Sequence, residues 1–173
     1  DFGPGHIYSY ALMNNFRTNF QPVQVADVLF RYSLTTGPGD WRTARAGDFG
    51  EAVASPLVPV ITRGKQTGNL PVSSSFCTVD RPNVHLLTVK AAEDGDGVIV
   101  RLAETEGQDT VVTVCLPYHD ITQALQTNLV EEDEAVLTYD RHTVRVLIQA
   151  NGIATVRCRG TRRWPVVGFL ARY

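Results

Sequence analysis

The sequence predicts a mainly β protein, an antiparallel β-sandwich with one short α-helix in its N-terminal third. Three observations lead there. From residue 73 onward the chain is a succession of short valine-rich runs separated by turn clusters. Within a run the side chains alternate, as Val144, Val146 and Ile148 do against Arg145 and Gln149, which is the period of a half-buried strand. No helical pattern intervenes, and strands so spaced build antiparallel sheets packed face to face.

Taken in order, the first element is "YSYALMNNFRTNFQP", residues 8 to 22, where aromatics are interleaved with Asn14, Asn15, Asn19 and Gln21. Amides form strands and helices poorly but satisfy stray backbone groups and contact hydroxyl-rich ligands. The stretch therefore reads as a structural turn or as part of a sugar-facing surface. "DVLFRYSL", residues 27 to 34, sets Val28, Phe30, Tyr32 and Leu34 on one face and Arg31 and Ser33 on the other, and is predicted as a strand. After "TTGPG", Asp40 is placed to cap a helix over residues 40 to 53, with Trp41, Arg45, Phe49 and Ala52 on one side. Gly47 and Gly50 weaken that helix by about 1 kcal/mol each relative to alanine. "SPLVPV" ends it, because a residue before proline is pushed out of the helical region.

"TRGKQTGNLP", residues 62 to 71, has the composition of a linker. Residues 1–72 are thus expected to hold the N-terminal strands and the helix, and residues 73–173 the antiparallel sandwich. In the latter, "VHLLTVKAA" and "VIVRLAE" are joined by "EDGDG", a hairpin turn, and "TVVTVCL" follows a second turn cluster, "EGQD". "TVRVLIQ" and "IATVRCR" flank Ala150, Asn151 and Gly152, and Asn-Gly is the strongest short hairpin signal.

Composition narrows the function classes. The 173 residues are 43% hydrophobic and 20% charged, ordinary globular usage, and no apolar run approaches the roughly 18 residues of a membrane span. A net charge of -2 gives no general attraction to phosphate backbones, so neither nucleic acid nor membrane is expected as a partner. The basic cluster Arg157, Arg159, Arg162 and Arg163 reads as a solvated strand end or an ion-pair surface. Cys77, Cys115 and Cys158, odd in number and far apart in apolar runs, read as buried thiols of a reducing compartment. With no export signal in "DFGPG" or after it, a cytoplasmic location is expected.

Reactive constellations are scarce. His6, His85, His119 and His142 are isolated from one another and from the cysteines, without metal-ligand spacing. His119-Asp120 follows "LPY" and is assigned to a loop. "EEDE", residues 131 to 134, holds enough carboxylates for glycoside hydrolysis, but adjacent residues point apart, and a solvated loop is the simpler reading. "EDGDG" carries Asp94 and Asp96 but lacks the remaining ligands of a calcium loop. There is neither a nucleophile elbow nor a phosphate-binding loop. On residues alone, no catalytic residue, metal ligand or cofactor site is assigned to this chain.

"MNNFRTNF" at residues 13 to 20, followed by "FRYSL" at 30 to 34, resembles the late part of bacterial family 38 glycoside hydrolases, the α-mannosidases. There an Asn-Asn, aromatic, Trp, His, Thr-Asn, aromatic segment precedes a Phe-Arg-Tyr strand. "ASPLVPV", "VHLLTVKAAEDGDGVIVRLAET", "ALQTNLVEE" and "GIATVRCR" resemble later pieces in the same order, so the likeness covers roughly residues 7 to 160. One departure is that the family's Trp-His is replaced, leaving only Arg17 between Phe16 and Thr18.

The resemblance implies a C-terminal β-sandwich region separated from its catalytic half. Family 38 enzymes are retaining α-mannosidases with a divalent metal, usually zinc, and an aspartate nucleophile, all carried by an N-terminal catalytic domain. Its His-x-Asp metal motif has no counterpart here. The implied partners are that catalytic domain, on the same polypeptide, and a mannose-containing glycan, in a parent that is a candidate homo-oligomer. Asn14, Asn15, Arg17 and Asn19 are then expected in a loop facing the catalytic domain or its sugar cleft, against the plainer reading of an asparagine-rich turn bonding its own backbone.

Two other classes stand beside this one. An independent carbohydrate-binding module would present aromatic faces to sugar rings, with Trp41, Tyr118, Trp164 and Tyr173 available, although Trp41 reads better as core at the helix start. A self-contained glycosidase would need two opposed carboxylates, and no pair can be assigned that role.

Overall fold

Alternation along four strand-forming segments sends Val98, Val100, Leu102, Val112, Val114, Val144, Val146, Ile148, Ala154, Val156 and Cys158 into one shared interior. In a computed structural model of the chain, described for residues 5–12, 25–61, 64 and 71–163, these segments belong to two antiparallel sheets. The elements are α1 (Ala46–Ala54), β1 (Thr78–Val79), β2 (Val84–Ala91), β3 (Val98–Glu104), β4 (Thr110–Cys115), β5 (His119–Thr127), β6 (Asp133–Val136), β7 (Thr138–Tyr139), β8 (Thr143–Ile148) and β9 (Ile153–Arg162). One sheet has the order β1-β4-β8-β7 and the other β2-β3-β9-β5-β6, so the predicted sandwich is what the chain forms. No helix among the described residues is long and apolar enough to cross a membrane.

The "EDGDG" hairpin between β2 and β3 forms as predicted, closed by Ala92 N–H on the Gly97 carbonyl at 3.1 Å. The Asn-Gly turn forms too, but not as a hairpin. Gly152 N–H reaches the Gln149 carbonyl at 2.8 Å, yet β8 and β9 lie in different sheets. The reason is a competing partner. Glu104 at the end of β3 accepts the Asn151 N–H at 2.8 Å and donates its own N–H to the Gly152 carbonyl at 2.9 Å. The turn is thereby held to β3, and the chain crosses from one sheet to the other.

Two further expectations are corrected. Residues 27 to 34 alternate as a strand does, but no ladder pairs with them among the described residues. Leu34 is 81% exposed, and alternation without an adjacent edge to take up the backbone N–H and C=O groups does not make a strand. The helix begins at Ala46 and not at Asp40. Asp40 does act as a cap, its Oδ1 accepting Thr43 N–H at 2.9 Å and Thr43 Oγ1–H at 3.0 Å, but it caps only a local turn. Arg45 then adopts the left-handed conformation (φ 50°), which breaks the run before the helix starts.

The chain divides into two units, Asp1–Ile61 and Thr62–Tyr173. In the first, no described residue is buried. In the second, the sandwich buries the interior named above.

One glycine fixes the β5–β9 ladder. Gly160 (φ +150°) lies opposite the irregularity between Ile121 and Gln123, where a Cβ would collide with the Asp120 carbonyl. Since the obstacle is backbone, neither side can yield without breaking the ladder. Gly160→Ala is expected to cost about 2 kcal/mol or more, read as a lower midpoint in urea denaturation. An unchanged midpoint contradicts this register.

Candidate functional site

The outer face of the five-stranded sheet carries a dense polar cluster, and β9 puts it there. Ala154, Val156 and Cys158 face the core, so Thr155, Arg157 and Arg159 face outward. Arg157 is nonetheless 3% exposed, flanked in register by Ile99 of β3 and Leu125 of β5. A buried guanidinium needs a full set of partners, and two loops supply them. Asp94 accepts from Nη1 at 2.8 and 2.9 Å, and the Asp96 carbonyl accepts from the same nitrogen at 2.9 Å. The Glu131 carbonyl accepts from Nη2 at 2.8 Å, and Asp133 Oδ1 lies 2.9 Å from Nε. That last contact is an ion pair whose N–H is not aligned for a hydrogen bond.

The same loops are fastened to each other. Lys90 pairs with Glu131 at 2.7 Å and with Glu93, while Glu131 Oε2 accepts the Glu93 N–H at 2.9 Å. Arg159 bridges Asp96 at 2.6 Å and Asp133 at 2.8 Å. The hydrogen bond from Arg157 holds the Asp94 carboxyl below its ordinary range, and that from Lys90 does the same for Glu131. Two readings are thereby corrected. The "EEDE" segment is not simply a solvated loop, because Glu131 is buried and Asp133 is paired. The arginine cluster is an ion-pair surface only in part, since Arg157 lies beneath that surface.

Glu104, 3% exposed, is a second polar centre that residue spacing did not reveal. Its two oxygens accept five hydrogen bonds: Asn83 Nδ2 at 2.9 Å, the N–H groups of Glu106 and Gly107 at 2.8 Å, Gln108 N–H at 3.1 Å and Asn151 N–H at 2.8 Å. Burial alone pushes this carboxyl up. The bonds from Asn151, Asn83, Glu106 and Gln108 outweigh it and hold the pKa at about 2. Three loops, those before β2, before β4 and before β9, are tied together by one side chain. A glutamate closing a strand before a Gly-containing turn is too common to have signalled this.

Other candidates are engaged structurally. His119 lies at the start of β5 and not in a loop. It is buried, its Nε2 is 3.2 Å from the Cys158 carbonyl, and burial lowers its pKa. Asp120 takes a two-pronged contact from Arg141 at 3.0 and 3.2 Å and a further bond from Arg163 at 2.6 Å. Cys158 is buried, whereas Cys77 and Cys115 are half-buried, so the buried-thiol reading holds fully for one of the three. Burial raises the Cys77 thiol to about 11 and the Cys158 thiol to about 12, and thiolates are the reactive form. In the folded protein at pH 8, Cys158 is therefore expected to resist iodoacetamide until denaturant is added. Labelling at the unfolded-state rate contradicts its placement.

Trp41 is 49% exposed and not core, with the Arg42 guanidinium 4.3 Å above its ring. Tyr118 packs against Phe76 at 5.4 Å. Asn14, Asn15, Arg17, Asn19, Trp164 and Tyr173 lie outside the described residues. Among the described residues, no three His, Cys, Asp or Glu side chains come together as metal ligands, and the acidic groups of the outer-face loops meet arginine and lysine instead. These residues do not fit a divalent cation. The chemistry available to the described site is ion pairing and loop fixation.

Residues 83–156 match the family model described as the glycosyl hydrolases family 38 C-terminal beta sandwich domain. A search of curated proteins finds no significant match.

Proposed function

We propose, from the premise that residues 83–156 are a C-terminal β-sandwich domain of the family 38 glycosyl hydrolases, that this chain is the non-catalytic sandwich region of a retaining α-mannosidase. It works by packing on the catalytic part of its parent and shaping the cleft there or an oligomer contact. The reaction so supported is hydrolysis of a terminal α-mannoside with retention, and the divalent metal belongs to the catalytic part.

The observation that carries this reading is the state of the first unit. Its described residues include Ile7, Tyr10, Leu34, Leu57, Val58 and Ile61, each 81 to 98% exposed, and none of its described residues is buried. Apolar surface on that scale, without a buried residue among those described, is the signature of an interaction face. In the second unit, the two buried polar clusters serve the sandwich itself, with every named carboxylate turned to an arginine, a lysine, an amide or a backbone N–H.

The purified chain is therefore expected to leave an aryl α-mannoside intact and to bind a solvatochromic apolar dye strongly. Turnover of the aryl mannoside by the chain alone overturns the reading, and so does a chain that leaves the dye unbound.

A further inference from the structure

Residues 81–83 on one side and 108–111 on the other line an open groove of about 370 Å³, and buried Glu104 ties the two sides together. Both walls are fixed by shared hydrogen bonds. Asn83 Nδ2 reaches Glu104 Oε1 at 2.9 Å and Thr110 Oγ1 at 2.8 Å, and the N–H groups of Gly107 and Gln108 reach Glu104 Oε2 at 2.8 and 3.1 Å.

Among the described residues, the rim holds polar groups with bonding capacity to spare, although Arg81 Nε also lies 3.9 Å from Asp80 Oδ1. Arg81 Nε donates to the Val111 carbonyl at 3.1 Å, and its terminal nitrogens have no hydrogen-bond partner among the described residues. The Gln108 amide has none either. Asp109 commits Oδ1 to the Ala150 N–H at 2.9 Å, which leaves Oδ2 as an acceptor. Val111, 46% exposed, adds one apolar patch.

A forked donor, an amide that both donates and accepts, and a carboxylate oxygen around a small apolar patch match the chemistry of adjacent sugar hydroxyls beside a C–H face. Asp109 disfavours an anion in the same place. We propose that this groove binds a neutral saccharide, holding a vicinal diol between Arg81, Gln108 and Asp109 with the ring's apolar face on Val111. Because Glu104 fixes both walls beforehand, little ordering is left to be lost on binding. The site goes beyond the docking role above and does not depend on it.

The test is an amide NMR titration of the 173-residue chain with methyl α-mannoside, methyl β-galactoside and sodium glucuronate. Saturable shifts are expected at the amides of Arg81, Asn83 and residues 106–111 with at least one neutral glycoside. Affinity is expected to fall about tenfold or more in Arg81→Ala and in Gln108→Ala and to stay unchanged in Glu134→Ala on β6. Should Arg81→Ala fail to fold, Gln108→Ala decides, since its side chain has no hydrogen-bond partner among the described residues. No saturable shift, shifts elsewhere, wild-type affinity in Gln108→Ala, or glucuronate bound as well as the neutral sugars would each overturn the proposal. Mannoside hydrolysis is read separately, so failure here leaves the docking reading standing.

Discussion

Replacing Arg157 by alanine is expected to destabilise the sandwich by about 3 kcal/mol, a fall in Tm of about 15 °C for a domain of this size. The side chain is 3% exposed and is the common partner of Asp94, Asp133 and the carbonyls of Asp96 and Glu131. Asp94 and Asp133 are themselves partly exposed, 56% and 36% at the side chain, so water can take over part of their interaction. The carbonyl of Glu131 has less recourse, being part of a buried residue, and an unmade bond to a buried acceptor carries its full desolvation cost. Arg157→Met separates packing from pairing. It keeps an apolar stem between Ile99 and Leu125 and should recover part of the loss. If alanine and wild type melt together in a thermal scan, the outer-face loops are not anchored as described.

The second large effect belongs to Glu104. Glu104→Ala leaves four backbone N–H groups and the Asn83 amide without their acceptor and is expected to cost about 3 kcal/mol. Glu104→Gln keeps the shape but turns one amide NH₂ toward N–H donors, so it is expected to lose a substantial share of the same stability. The pH dependence follows from the depressed pKa. In the unfolded chain the carboxyl titrates near its ordinary value of 4.5, while in the fold it titrates at about 2. The folded state therefore binds fewer protons between those values, and the contribution of Glu104 is complete above pH 4.5 and is lost as pH falls toward 2. Denaturant midpoints of wild type and Glu104→Gln measured from pH 7 to pH 2 should converge toward the acid end. A constant separation across that range would show that the charge of Glu104 is not what holds the three loops.

What the sequence could disclose was governed by the range of the interactions. Val144, Val146 and Ile148 alternate with exposed positions because one face of β8 meets the core, and that local period sufficed to predict the sandwich. The same period misled at residues 27 to 34, where alternation is present but no sheet edge accompanies it among the described residues. Asp40 caps a local turn and not the expected helix, because Arg45 adopts a left-handed conformation five residues later. The Asn-Gly turn was found, but its hairpin was not, because Glu104 binds it from 47 residues away. Reading Arg157 as part of a solvated strand end or ion-pair surface, and Glu131 as part of a solvated loop, falls short for a related reason. Their burial depends on loops 63 and 26 residues from Arg157 in the chain, and a period-2 pattern contains no information about what covers a face. The likeness of residues 83–156 to the family model was legible because it rests on the order of strands and turns along that stretch. Asn14, Asn15, Arg17 and Asn19, the residues the resemblance singled out, lie outside the described residues.

We propose that this sandwich belongs to a larger mannosidase. That membership is tested most directly by the mass of the native gene product in its source cells, detected with an antibody raised against residues 71–163. A product several times heavier than 19.1 kDa that hydrolyses an aryl α-mannoside when captured is the expected result. A product of about this chain's own mass, with no mannosidase activity in the captured material, would contradict it.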